Sequence, residues 1–205
     1  RDPRLKCQDA PMLRRLKLGQ DRRQKARSLY GSIVTQARIR DFYAHWGVPD
    51  TVEGRFEMIA LHLVAVLDRL RHDGQPGHQL ARALTETFAV DVDDNLREMT
   101  VGDLAVPRYV KRAVGALKER HTSYRAALAE PGEEMLAAVV EARLGGTTGG
   151  LDVPRICAYI RRVGHRLDQL PSGEVLAGRI VWPHIDAVER DGGGVRQETE
   201  GKDAR

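Results

Sequence analysis

The chain has 205 residues, 41% of them hydrophobic and 30% charged. That suits one globular domain with its own core and excludes collagen-like, mucin-like and wholly disordered chains. Cys7 and Cys157, the two cysteines, make neither a disulfide framework nor a four-ligand zinc site, which points to a reducing compartment. The net charge of +4 hides an asymmetry: residues 1–40 carry 12 Arg and Lys against 3 Asp, or +9, and the remainder carries 21 basic against 26 acidic residues, or −5. Aromatic residues make up 5%, thin for a base-stacking RNA binder.

Residues 1–27 read as a basic arm. Met12 looks like a native start, which sets residues 1–11 aside as an upstream extension. Arg14, Arg15, Lys17, Arg22, Arg23, Lys25 and Arg27 then give seven positive charges against Asp21. Such a run suits an anionic surface (lipid headgroups, ribosomal RNA or an acidic protein), or else simply solvates an exposed end. A transit peptide is the weaker alternative, since the whole chain prefers Arg to Lys.

From there the pattern predicts helices throughout. The spacing predicts one long helix over 20–45, stopped by Gly47-Val48-Pro49. Asp50 or Thr51 can cap the next helix, which runs to about residue 71 on a stripe of Phe56, Ile59, Leu63, Leu67 and Leu70. Its apolar run from Met58 to Leu67 spans ten residues, about half of the roughly 20 a membrane crossing needs, so it reads as a buried core helix. Residues 72–77 read as a loop, Leu80, Leu84 and Phe88 as a short helix, and 91–99 as a separate acidic-led one ended by Gly102. Pro107 suits the first turn of a helix faced by Val110, Ala113, Val114, Leu117, His121, Tyr124 and Leu128. Pro131 opens another, residues 145–150 form a linker, and Asp152 caps a last helix with Ile156, Ile160, Val163, Leu167 and Leu170 as its stripe. The expectation is an all-α domain of six to eight helices over 28–181, with a mostly disordered tail over 182–205.

Enzyme motifs are absent: there is no phosphate-binding Gly loop, no Gly-x-Ser-x-Gly and no His-Glu-x-x-His among the seven histidines. His62 reads as a hydrogen-bonded core histidine and Cys157 as a small core residue. Asp91-Val92-Asp93-Asp94-Asn95 starts like a calcium loop. It then fails, with Leu96 where Gly belongs and Gly102 where a bidentate Glu belongs. No metal or other cofactor is expected. Three polar constellations remain: Gln36-Ala37-Arg38 with Asp41-Phe42-Tyr43; Gly47-Val48-Pro49-Asp50-Thr51 with Gly54-Arg55-Phe56; and Asp91-x-Asp93-x-x-Leu96-Arg97-Glu98-Met99 with Val101-Gly102-Asp103. Arg38, Arg55 and Arg97 could pair with Asp50, Asp93 and Asp103 to lock helix junctions, or face a partner.

These three motifs in this order, over roughly Leu29 to Leu128, resemble the ubiquinol–cytochrome c chaperone family, assembly factors for cytochrome b of respiratory complex III. Thr100 stands where the family usually carries Gly, and Lys118-Glu119-Arg120 replaces a usual aromatic-Gly-Arg. The resemblance implies an all-helical, non-catalytic chaperone that binds newly made cytochrome b. The ribosome, an anionic membrane surface and a small partner subunit are further expected partners. It implies a cytoplasmic protein held at the inner membrane, on the matrix side in a mitochondrion. The implied partner surface comprises Arg38, Phe42, Tyr43, Asp50, Arg55, Asp91, Asp93, Arg97, Glu98 and Asp103, with the basic arm on the membrane or ribosome. The rival readings are a ribosome- or RNA-binding module using the arm, and a small helical isoprenoid or lipid enzyme built on the Asp91-Asp93-Asp94 cluster.

Overall fold

The computed structural model describes residues 9–99, 102–145 and 150–185, with side chains from residue 17 onward. Among these residues the chain forms six long helices and two short ones, and no strand. They are α1 (Asp9–Ala37), α2 (Arg40–Ala44), α3 (Val52–Leu70), α4 (Gly74–Glu98), α5 (Val106–Ala129), α6 (Glu134–Leu144), α7 (Val153–Asp168) and α8 (Ser172–Leu176). The all-α expectation holds. No helix of the described residues is long and apolar enough to cross a membrane.

α3 is the hub. Thr51 caps it, its hydroxyl accepting from Gly54 N–H at 3.1 Å, which satisfies one of the free amides of the first turn. The helix packs on α1, α4, α5, α6 and α7. Met58, Leu61, Leu63, Val66 and Leu70 are all at most 2% exposed. Each such side chain contributes about 1.5–3 kcal/mol by leaving water, and a helix apolar on nearly every side can only be internal. α7 repeats this logic: Asp152 accepts from Arg155 N–H at 3.1 Å, and Ile156, Ile160, Val163 and Leu167 are buried.

The helix expected over 20–45 is two. α1 ends at Ala37, Ile39 is extended (φ −61°, ψ 129°), and α2 restarts at Arg40. Neither proline nor glycine marks the break; aromatic packing makes it. The turn places Phe42 and Trp46, both fully buried, edge-on to each other at 5.0 Å and against Tyr159 at 5.1 and 5.6 Å. Tyr43 closes the corner by donating its hydroxyl to the Ala37 carbonyl at 2.7 Å. Gly47 ends the segment at φ +74°, where a Cβ would sit 2.0 Å from the Gly150 carbonyl oxygen, so only glycine fits.

Two further expectations are corrected. The loop over 72–77 shrinks to a 3-10 turn, Arg71–Asp73, because Gly74 (φ +59°) reverses the chain within one residue and Pro76 sits in the first turn of α4, where its missing N–H costs nothing. The short helix at 80–88 and the acidic one at 91–99 are one helix, α4, since Ala89 and Val90 offer no break. The start of the would-be calcium loop, Asp91 to Asn95, therefore lies inside continuous helix. At the C-terminal end, Trp182 and Ile185, expected in the tail, pack on the domain: Ile185 is 7% exposed and the Trp182 indole N–H donates to Ser32 at 2.9 Å. Residues 186–205, the rest of the expected tail, lie outside the described residues, as do 146–149 of the linker.

Two polar clusters stitch the core. The Met58 carbonyl can only accept, so His62 Nδ1–H donates to it (2.7 Å), leaving His62 Nε2 to accept from the Tyr159 hydroxyl (2.7 Å). Gln36 Nε2 in turn donates to that hydroxyl at 2.9 Å, joining α1, α3 and α7. Burial pushes the His62 pKa down to about 4, so the ring is neutral, as a satisfied core histidine should be. In the second cluster Arg69 donates to the Leu167 and Leu170 carbonyls at 3.0 Å each and to Asp73 at 2.9 Å, closing the end of α7.

Candidate interaction groove and arginine cleft

A groove of about 660 Å³ runs between α3, α4 and α5, with Tyr30 of α1 contributing. Ridge spacing on each helix decides who lines it. Val52, Phe56 and Ile59 come from α3, Val92, Leu96 and Met99 from α4, and Tyr109 and Ala113 from α5. Phe88 lies at its base, 1% exposed and 6.1 Å from Phe56 between ring centres. The rim is unusually apolar for solvent-facing positions: Val52 is 65% exposed, Met99 54% and Tyr109 43%, with Leu104 fully exposed in the turn between α4 and α5.

Charged groups edge this apolar strip. Arg120 of α5 makes a two-pronged pair with Glu57 of α3. Its Nε donates to Oε2 at 2.7 Å and its Nη2 to Oε1, with both side chains about 10% exposed. Its guanidinium also stacks over Phe56 at 5.4 Å. The Tyr30 hydroxyl donates to Asp91 at 2.8 Å, and burial together with that carboxylate raises its pKa well above the usual phenol value. Arg112 lies over Tyr109 at 5.6 Å.

Beside the groove, and sharing Arg38 and Arg55 with it, opens a cleft of about 480 Å³ lined by Arg38, Arg40, Tyr43, Ala44, Asp50 and Arg55. Arg55 donates through Nε to Asp50 at 2.7 Å, which holds the Asp50 carboxyl below its ordinary pKa.

The structure thus divides the residues that the sequence had grouped. Arg38, Tyr43, Asp50, Arg55 and Asp91 converge on the groove and cleft. Asp93, Arg97 and Asp103 do not line either: Arg97 bonds Asp93 at 2.6 Å and Asp103 at 2.8 Å, tying the end of α4 to the following turn at the surface. Glu98 is exposed beside them. Phe42 is a correction: at 0% exposure it belongs to the aromatic core and presents nothing to a partner. The basic arm is not a separate segment, because α1 runs unbroken from it into the core, with Ala26 already fully buried. Lys17, Arg23 and Arg27 are exposed, Arg22 and Lys25 half-buried, and Lys25 pairs with Asp21 at 2.6 Å. The side chains of Arg14 and Arg15 lie outside the described residues.

Sequence reasoning missed the groove's apolar rim and its Glu57–Arg120 pair. A signal existed: Val52, Met99 and Tyr109 stand off the buried stripes of their helices, where polar residues are the norm. No group of three or more His, Cys, Asp or Glu side chains among the described residues is placed to hold a metal ion.

The sequence profile of the ubiquinol–cytochrome C chaperone family matches residues 44–182. That span takes in α3 to α7 whole, and with them both walls of the groove. Among solved structures, the crystal structure of the Cbp3 homolog from Brucella abortus is similar, with a TM-score of 0.75 and 28% identity over 85% of this chain and 98% of that one. No curated protein sequence matches. With most of its length inside the family profile, the chain belongs to the ubiquinol–cytochrome c chaperone family.

Proposed function

We propose that this protein is a non-catalytic chaperone that binds newly made cytochrome b during assembly of ubiquinol–cytochrome c reductase, with an apolar segment of the client seated in the groove between α3, α4 and α5. The observation that carries this reading is the exposed apolar rim of Val52, Met99 and Tyr109 around a Phe56–Phe88 base, with Leu104 exposed in the neighbouring turn. A monomeric soluble protein rarely leaves such a strip uncovered without a partner for it. Arg38 and Arg55 at one end, and Asp91 along the wall, supply polar groups that fix orientation. The Arg97–Asp93–Asp103 cluster contributes by holding the rim residue Met99 and the turn carrying Leu104 in place.

Residues 17–27 of α1 support a second contact, with an anionic membrane surface at the site of client insertion or with the ribosome that delivers it. Each exposed basic side chain near an anionic bilayer is worth about 1 kcal/mol before screening. Flotation with liposomes should therefore depend on both anionic lipid and salt. A small partner subunit remains a further expected occupant of the protein's surface.

The decisive experiment places a photo-crosslinking residue at Met99 or Tyr109 of the full chain, in a host assembling complex III. Crosslinks to cytochrome b from both positions, absent from an exposed α4 position such as Arg82, are the expected result. Crosslinking from Arg82 alone, or from none, refutes the groove. Arg55→Ala should leave the protein folded, because the Arg55–Asp50 pair is exposed on both sides, yet lower the amount of assembled complex.

A further inference from the structure

Several arginines of this protein are held by carboxylates: Arg55, Arg69 and Arg120 each pair with one, and Arg97 with two. Arg38 and Arg40 are exposed and in no ion pair among the described residues, although Asp41 and Asp50 are close in sequence. Both line the 480 Å³ cleft together with Arg55. Asp50 engages Arg55 through Nε alone, so both Nη amino groups remain free to donate and the guanidinium is already oriented. Three guanidinium groups against one committed carboxylate leave the cleft at +2. Its remaining wall is Ala44 and the ring of Tyr43, whose hydroxyl proton is used on the Ala37 carbonyl. The cleft is thus rich in donors, poor in acceptors and partly apolar.

That chemistry selects its ligand. A cation finds no uncommitted carboxylate there, and a neutral polyol finds almost no acceptor. A tetrahedral oxyanion can take a forked pair of hydrogen bonds from each guanidinium, the arrangement for which arginine is suited over lysine. The cleft is also far larger than a bare phosphate ion, which leaves room for an organic group against Tyr43. We propose that the Arg38–Arg40–Arg55 cleft is a binding site for the phosphoryl group of a phosphoester. The site goes beyond the client groove: the groove takes an apolar segment and the cleft an anion, and Arg40 lines only the cleft.

The test titrates the full-length protein with inorganic phosphate and with glycerol 3-phosphate, against sodium chloride at matched ionic strength, following arginine Nε–H signals by NMR. The Arg38, Arg40 and Arg55 signals should shift together and saturate. Arg40→Gln should weaken binding at least fivefold, and Arg82→Gln should not change it. A parallel flotation assay compares phosphatidylcholine vesicles with and without phosphatidic acid. Loss of vesicle binding in Arg40→Gln supports the site with a lipid headgroup as its source. Unchanged vesicle binding with lost glycerol 3-phosphate binding supports it with a soluble phosphoester as its source. Phosphate that acts no better than chloride overturns the proposal. So do shifts confined to Arg22, Arg23 and Arg27 of α1, or affinities within twofold of wild type in both Arg40→Gln and Arg38→Gln.

Discussion

Replacing Tyr159 by Phe removes one oxygen atom from the middle of a buried chain and leaves the ring where it packs, between Phe42 and Trp46. The hydroxyl has two partners, each on a different helix: it donates to His62 Nε2 at 2.7 Å and accepts from Gln36 Nε2 at 2.9 Å. His62 is fully buried and Gln36 is 8% exposed. Stranding a buried polar group costs about 1–3 kcal/mol, so two stranded groups cost about 2–6 kcal/mol. Gln36 recovers part of this by turning toward its small exposed edge, and the hydroxyl's own desolvation cost disappears. The expected loss is therefore about 2–4 kcal/mol, a large part of the 5–15 kcal/mol typical of a domain. Urea unfolding at pH 7.5 measures it: at a slope of about 2 kcal/mol/M the midpoint should fall by about 1–2 M with the slope unchanged. The His62 pKa should also rise from about 4, because only the neutral ring accepts the Tyr159 proton and that preference is removed. A midpoint within about 0.2 M of wild type would refute the argument, since it would mean the three groups are not dependent on one another.

A contrasting prediction concerns Tyr124, 2% exposed, whose hydroxyl finds no hydrogen-bond partner among the described residues; Tyr124→Phe should leave stability unchanged or raise it by up to about 1 kcal/mol, a urea midpoint up to about 0.5 M higher. Arg120→Ala strands the Glu57 carboxylate, and because this pair borders the groove the loss should sit at the low end for a buried pair, about 3 kcal/mol, with Glu57→Gln/Arg120→Ala together milder than Arg120→Ala alone in a double-mutant cycle. For His62, folding depresses the pKa from 6.5 to about 4, so the unfolded chain binds the extra proton first; stability from this group is complete above pH 6.5, falls as pH drops toward 4 and changes no further below it. The window of about 2.5 pH units is worth about 3 kcal/mol, and His62→Gln should flatten the stability profile between pH 6.5 and 4 relative to wild type; parallel profiles would show that His62 does not titrate this way.

Local pattern determined much of this protein. The stripes of α3, α5 and α7, the caps at Thr51 and Asp152, the stop at Gly47 and the all-helical class follow from side-chain spacing and backbone chemistry within a few residues, and these are the scales on which a helix face or a cap is made. Leu128 shows the limit of the same pattern. It continues the apolar stripe of α5 yet is 37% exposed, while Tyr124 and Ala127 one turn or less away are buried. What lies across the fold was not legible. The break between α1 and α2 has no breaker residue; it exists because Phe42 and Trp46 gain more by packing on Tyr159, over a hundred positions away, than Ile39 loses by leaving the helix. The polar motifs were visible as motifs, but their division was not: Arg38, Arg55 and Asp91 meet at one groove while Arg97 turns away to Asp93 and Asp103, since α4 is continuous and its rotation fixes which face meets α3 and α5. Glu57 and Arg120, 63 residues apart, and His62 and Tyr159, 97 apart, became partners only through helix packing. Periodicity records that a face is to be buried; which helix covers it, and which exposed residues are left to form a groove, is decided by the close packing of the whole chain.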